Sequence, residues 1–316
     1  RMTGEFAETV NLQSGGGFIC LADKVYDPLV RELLGMREEQ FGQLVTLEHT
    51  APLGEEAANA MGIPPGIPVV PAHSDGACSQ AGSGCGGPRE MTLSVGTSGA
   101  IRMVSDVPVL PENRETWCYC GVRGYLAGAA VAGACNCVDW FRHVLLAGAP
   151  SYESLEAGGV PYGGNPPVFL PFLFGERCPG WRDERRAGFL DVEGHHTHRD
   201  LYLALQMGVL FSLLQCYEPL AKLMGTPAKT VVSGGILLSP RWTRMAADIL
   251  GLPLLPMRNK DASLIGAALL ALEAAGMRRD GARPDLDVGA LILPDAGHTA
   301  WYREQYARYL RRYAQT

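Results

Sequence analysis

The stretch Leu93–Ile101, LSVGTSGAI, places apolar residues on both sides of Gly96, Thr97, Ser98 and Gly99. The pattern predicts a strand that enters a tight small-residue turn and leaves as a second strand. Such a turn offers backbone N–H groups that no bulky side chain shields, together with two hydroxyls, and can cradle phosphate oxygens. A plain glycine-containing hairpin turn accounts for the same residues.

Working outward, GIPVVPA (66–72) reads as a buried strand, and the small-residue segment after it begins a helix at Asp75. A β-rich block follows: EMTLSVG (90–96), AIRMVS (100–105), TWCYCGV (116–122) and GYLAGAAV (124–131). CVDWFRHVLLAG (137–148) then takes the 3.6-residue period of a helix. Residues 150–197 are loop-rich, with a short strand at GFLDV. The segment 199–224 is apolar over most of its helical surface, so it belongs between layers. KTVVSGG (229–235) is a strand running into a glycine pair, and 239–251 is a helix with Ser239 as N-cap and Pro240 at its first position. LPLLPM is a strand, 262–276 a helix, and the tyrosine-rich tail a final amphipathic helix. Residues 1–65 are irregular, with short helices at DPLVRELLGM, capped by Asp27, and at GEEAANAMGI, ending at Gly62. The order predicts a mixed α/β architecture with helices packed on a central sheet.

Composition narrows the function classes. The 316 residues are 47% hydrophobic and 19% charged, as in a globular protein with a sizeable core. The net charge of −6 argues against general nucleic-acid binding. The uninterrupted apolar runs fall short of the ~18 residues of a membrane span, and no secretory signal is visible at the start. The chain opens on Arg1, from which the expectation is that sequence continues upstream. Nine cysteines, an odd number scattered through apolar segments, point to reduced thiols in a cytoplasmic protein. Cys118–Cys120 and Cys135–Cys137 admit a zinc reading, but zinc sites favour C-x2-C spacing and buried structural thiols fit the apolar setting better.

Each chemical candidate has a plain structural alternative. Asp75, at the end of a predicted strand, can take a proton from a substrate hydroxyl, or cap the next helix. GSGCGG (82–87) matches G-x-G-x-x-G in form, yet Pro88 and a strand follow it, so a dinucleotide fold is rejected and the glycines are assigned to a turn. Gly234 and Gly235 let a flat ring or a phosphate approach the backbone, and the helix start near Ser239 favours an anion; an ordinary strand–helix connection is the alternative. His195 and His196 lie in a polar loop and are assigned to the surface.

In this order (strand–Asp–Gly, G-T-S after a strand, GERCPGW, then S-G-G before a helix carrying MAADILGLPL) the motifs resemble the C-terminal half of FGGY carbohydrate kinases, over nearly the whole chain. LSVGTSGAIRMVSDVPVLPENRETWCYC looks most like the gluconate kinase branch, and CVDWFRHVL also suits a xylulokinase. The resemblance implies an actin-like, ribonuclease-H-like lobe, the second of two, with ATP and Mg2+ in the cleft between them. Residues 1–65 would form a lobe-junction segment and 66–316 the nucleotide-binding lobe, the first lobe being absent from this sequence. It implies Asp75 as catalytic base, with Gly76 beside it against the sugar and Mg2+ near Asp75. Gly96, Thr97 and Ser98 would hold phosphate, and Gly234, Gly235 and Ser239 the adenosine. The implied function is ATP-dependent phosphorylation of a sugar or sugar acid, gluconate first and xylulose or another ketose or polyol second. The alternative is a non-catalytic kinase-like binding or assembly module. The expected partners are the sugar and the first lobe, with neither nucleic acid nor membrane, and homodimers are common among such kinases. Three positions depart from the family pattern: Cys135 where relatives tend to carry Gly near adenine, Asp191 where many have Gly, and Met207 where an acidic residue is frequent.

Overall fold

A computed structural model describes residues 2–259, 261–277 and 286–316. Its centre is a six-stranded mixed sheet. The strands in chain order are β1 (Glu90–Val95), β2 (Gly99–Ser105), β3 (Trp117–Cys120), β4 (Tyr125–Val131), β5 (Lys229–Ser233) and β6 (Leu255–Pro256). Their spatial order is β6-β5-β1-β2-β4-β3. The four N-terminal strands pair antiparallel, whereas β5 runs parallel to both β1 and β6.

The helices that matter for the site are α1 (Asp75–Gly82), α2 (Cys135–Trp140), α3 (His198–Met224), α4 (Pro240–Leu250), α5 (Ala262–Ala274) and α6 (Ala296–Tyr313); shorter ones lie at Val10–Gly15, Pro28–Leu34, Glu55–Met61 and Tyr152–Glu156. The predicted helix over 137–148 starts two residues earlier and turns into a π-helical stretch at Phe141–Leu145.

Period-two alternation sorts the sheet into two faces. Met91, Leu93 and Val95 pair with Met103, Ile101 and Gly99, which pair in turn with Ala127, Ala129 and Val131. The side chains of this face form one core with α3, in which Leu205, Val209, Leu213 and Cys216 are fully buried. Each such leucine or valine contributes about 1.5–3 kcal/mol. α3 is long and apolar enough to cross a membrane by composition, and here it is the central helix of the core.

The opposite face is more polar. Thr92 of β1 donates its hydroxyl to the Gln80 side-chain oxygen of α1 at 2.7 Å, and Gln80 donates to the Glu90 carbonyl at 3.2 Å. α1 lies on this face and crosses α5 with the two backbones in contact. A methyl group added at Gly82 would meet Gly266 N at 2.7 Å and the Ala262 carbonyl oxygen closer still. Gly82 thus serves helix packing rather than the turn expected of it, and Gly84, with φ 62°, makes the turn.

The segment before Asp75 also departs from expectation. The predicted buried strand over 66–72 is only Pro68–Val69, half exposed, paired with Ala51–Pro52 outside the main sheet. Two prolines in GIPVVPA limit the ladder bonds it can make. That small ladder crosses the 65/66 division. Asn11 fastens the N-terminal segment further, donating to the Cys120 carbonyl at 2.6 Å and accepting from Ser74 N–H at 2.8 Å.

Candidate active site

The β1–β2 hairpin turns through Gly96, Thr97 and Ser98, closed by Gly96 N–H donating to the Ser98 carbonyl at 3.0 Å. Thr97 and Ser98 are exposed at its tip. The next helix is tied to the same turn: Cys135 N–H donates to the Gly96 carbonyl at 2.8 Å and Asn136 N–H to that of Thr97 at 3.3 Å.

The glycine pair after β5 meets this turn from the other side. Gly234 has φ 99°, and a methyl there would stand 2.6 Å from the Val95 carbonyl carbon and 3.0 Å from Gly96 N. Only glycine combines that backbone angle with that approach. A methyl on Gly235 would meet the Cys135 sulfur at 3.0 Å. Burial, with Asp139 adding to it, pushes the Cys135 thiol up to about 12, so it is a neutral packing group. Parallel pairing of β5 with β1 therefore joins two loops that lie 138 residues apart (234 − 96) in the chain.

Next to this junction is a cavity of about 840 Å3, lined by Ser79, Ser94, Ser233, Gly234, Gly235, Arg258, Asn259 and Ser263 among others. This is within the size range of small-molecule and cofactor sites. Asn259 and Arg258 were not legible as site residues. They follow a two-residue strand, and their place depends on β6 pairing with β5 at Val231–Leu255.

Asp75 is the first residue of α1 and is exposed, and Ser74 takes the N-cap, its hydroxyl accepting from Ala77 N–H at 3.4 Å. The capping alternative for Asp75 is thus corrected, and its carboxylate is left to other work. Ser79, which lines the cavity, is one helical turn further on, about 6 Å along the axis. Gly76 packs against β2 and β3: a methyl there would meet the Tyr119 hydroxyl at 2.5 Å and Arg102 Nε at 3.0 Å.

Ser239 lies between two residues that line the cavity, Leu238 and Pro240. Its hydroxyl lies 2.8 Å from both carboxylate oxygens of Glu156 and accepts from Trp242 N–H at 3.0 Å. The cap predicted for it is real. With its hydroxyl engaged by Glu156 and both neighbours on the cavity wall, Ser239 stands at the cavity edge.

The nine cysteines are all free thiols, and among the described residues no three His, Cys, Asp or Glu converge as a metal-ligand set, which removes the zinc reading of the C-x-C pairs. His195 is exposed and His196 partly so, at the surface as expected. The three departures have structural accounts. Cys135 packs on the glycine pair, and Met207 is buried on the apolar side of α3. Asp191 adopts φ 58°, a left-handed conformation that glycine and aspartate both tolerate, and pairs with Arg308 and Arg312.

Residues 91–275 match the FGGY family of carbohydrate kinases, C-terminal domain. The chain is 27% identical over 293 residues to a gluconokinase of Bacillus subtilis, covering 87% of this chain and 56% of that protein. It is 28% identical over 323 residues to a xylulose kinase of Escherichia coli, covering 100% of this chain and 66% of the relative. A ligand-bound xylulose kinase from Lactobacillus acidophilus superposes with a TM-score of 0.92 at 25% identity, over 98% of this chain and 64% of that one. The chain thus spans between about half and two thirds of the length of these relatives. The mixed sheet flanked by helices is the actin-like fold of these kinases, and the match over residues 91–275 takes in the β1–β2 turn, Cys135 and the Gly234–Gly235 pair: the chain belongs to the FGGY family of carbohydrate kinases, whose C-terminal domain it contains.

Proposed function

We propose that this chain is the ATP-binding, base-bearing lobe of an enzyme that transfers the γ-phosphoryl group of ATP to a hydroxyl of a sugar or sugar acid. Gluconate is the first substrate class and xylulose or another ketose or polyol the second. The observation that supports this reading is a nucleotide-sized cavity lined by Gly234 and Gly235, which pack on the Val95–Gly96 end of the Gly96–Ser98 turn, and by Ser79, one helical turn beyond Asp75 on α1; the turn tip and Asp75 themselves lie outside its lining.

Phosphoryl transfer depends chiefly on positioning and charge stabilisation. The glycine pair admits the adenosine end of the nucleotide, with Arg258 and Asn259 taking the polar place first expected of Ser239. The exposed Thr97 hydroxyl and the N–H groups of its turn meet the terminal phosphate oxygens. Asp75, exposed at the start of α1, accepts the proton of the attacking hydroxyl and orients it. Mg2+ is usually held by one or two carboxylates plus the substrate's own phosphates. The donor set fits that kind of site: Asp75 is the carboxylate at hand, and no larger acidic cluster occurs among the described residues. When bound, the ion neutralises charge on the phosphates. Nine unpaired thiols fit a cytoplasmic setting. Residues 1–65 would form the junction to a first lobe that completes the sugar pocket.

A coupled ATP-consumption assay on the chain, alone and within a full-length polypeptide containing a first lobe, tests the reading with gluconate, xylulose and a polyol panel. Asp75→Asn should lower kcat by about 10²–10⁴-fold with ATP affinity nearly unchanged. No turnover on any sugar, with Asp75→Asn indistinguishable from the parent, would leave the non-catalytic module as the better description.

A further inference from the structure

Arg102 is a cation without an anion. It projects from β2 onto the polar face of the sheet, where it stands in register with Thr92 of β1 and Gly128 of β4, and Gly128 with Trp117 of β3. Its Nε is sealed from solvent and has no hydrogen-bond partner, the Tyr119 hydroxyl being the polar neighbour of the guanidinium, whereas the residue as a whole is only half-buried. No carboxylate among the described residues lies within ion-pairing distance of it. Buried charge normally comes with a partner.

The surroundings of Arg102 point to a ligand. It lies against Gly76, next in sequence to Asp75, and the Tyr119 hydroxyl converges on the same spot. Tyr119 and Trp117 stack with ring centroids 4.6 Å apart, forming an aromatic wall on the same face. Gly128 keeps that face low, since any side chain there would strike Trp117. The path from Arg102 Nε through Gly76 to the Asp75 carboxylate carbon, 3.0 Å to the added methyl position and then six bonds, bounds the separation at about 12 Å. A six-carbon acid about 7 Å long with a hydrogen bond of about 2.8 Å at each end spans about as much, so one ligand can reach both groups. An acidic ligand also needs such a cation. Without one, a carboxylate brought near Asp75 is repelled by that side chain's charge.

We infer that Arg102 is a specificity-determining residue that binds the carboxylate of a sugar-acid substrate while Asp75 addresses the distal hydroxyl. The assignment deepens the sugar-kinase reading above and rests on it. Guanidinium and carboxylate pair through two parallel hydrogen bonds, a geometry that a neutral ketose cannot use.

Arg102→Gln and Arg102→Lys test this in the full-length kinase, with gluconate as the acid probe and glucitol and xylulose as neutral probes. Arg102→Gln should raise KM for gluconate about 10–100-fold, with kcat, KM for ATP and kcat/KM for the neutral probes within threefold of the parent. Arg102→Lys, which keeps the charge and loses the fork, should fall between the two. It also carries the test should thermal melting show that Arg102→Gln is unfolded. Equal losses on acid and neutral probes would reduce Arg102 to a packing residue and overturn the assignment, as would an unchanged KM for gluconate. A parent enzyme that phosphorylates xylulose but no sugar acid would overturn it and leave the kinase reading intact. If the parent phosphorylates nothing, the kinase reading falls, and calorimetric titration with gluconate decides Arg102: binding that Arg102→Gln abolishes supports it, and no binding overturns it.

Discussion

The crossing of α1 and α5 makes a sharp prediction about Gly266→Ala. In an isolated helix this change is favourable by up to about 1 kcal/mol, because alanine has the higher helix propensity. In this fold the added methyl would stand 2.6 Å from the Cys78 carbonyl carbon, closer to its oxygen, and 2.9 Å from Gly82 N. Ordinary contact needs about 3.5 Å and the carbonyl oxygen is the nearest atom, so the helices must part by about 1.5 Å. The obstacle is backbone on both sides and cannot be relieved by a rotamer change. The overpacking cost therefore lies towards the top of the usual ~1–3 kcal/mol. The small satellite core of Leu47, Cys78 and Leu270 loosens at the same time. The net expectation is destabilisation by about 1–2 kcal/mol, read as a lower urea midpoint at constant m-value. Gly15→Ala is the control: it is the exposed last residue of the helix Val10–Gly15 and its methyl would meet nothing within 4 Å, so stability should hold or rise slightly. A functional consequence follows because α1 carries Asp75 at its first position. A displacement of about 1 Å at a reacting group can cost on the order of 10²-fold in rate, so kcat should fall even under conditions where the variant is fully folded. A Gly266→Ala protein as stable as the parent would show that helix propensity prevails and that the close crossing is not a feature of the native state.

Two further outcomes are expected. Gly234→Ala should weaken ATP binding and lower stability together, since its methyl would strike the Val95–Gly96 peptide from a φ of 99°; ATP titration by calorimetry checks this, and unchanged affinity would exclude the glycine pair from the nucleotide site. Hydrogen bonding to Arg312 and the nearby Arg308 charge hold the Asp191 carboxyl below its ordinary 3.8. A depressed folded value means that the stabilisation is complete above the ordinary value and is lost as pH falls below about 3.8 towards the folded value. Asp191→Asn keeps the left-handed backbone available and should cost under about 1 kcal/mol at pH 7, the pair being partly exposed. That gap should close in acid melts, and a gap that persists there would show that the ion pairs are not its source.

Much of the scaffold was legible because it rests on local pattern. The alternation of Met91, Leu93 and Val95 against Thr92 and Ser94 is visible in sequence and becomes the two faces of β1. The apolar 199–224 segment had to be buried and is the core helix α3. Caps at Asp27, Thr197, Ser239 and Asp295 act within a few residues, and of these Asp27 and Ser239 were read correctly. The misreadings arose where tertiary contact overrides local preference. GIPVVPA has the look of a core strand, but its prolines and its place beside the N-terminal segment leave only two paired residues. GSGCGG looked like a turn throughout, yet its first glycine is there for the approach of α5, a helix 180 residues later (262 − 82).

The sequence by itself determined the elements, their burial faces and the family resemblance, because side-chain period and motif order are carried along the chain. It could not decide between a hairpin turn and a phosphate cradle at Gly96–Ser98, nor give a polar residue such as Arg102 a role. What the tertiary structure adds is the parallel β5–β1 pairing, which presses Gly234 against Val95, and the packing of α1 over β2, which sets Arg102 beside Gly76. A site assembled from residues more than a hundred positions apart exists only once the sheet has closed over that distance, so its geometry belongs to the tertiary structure.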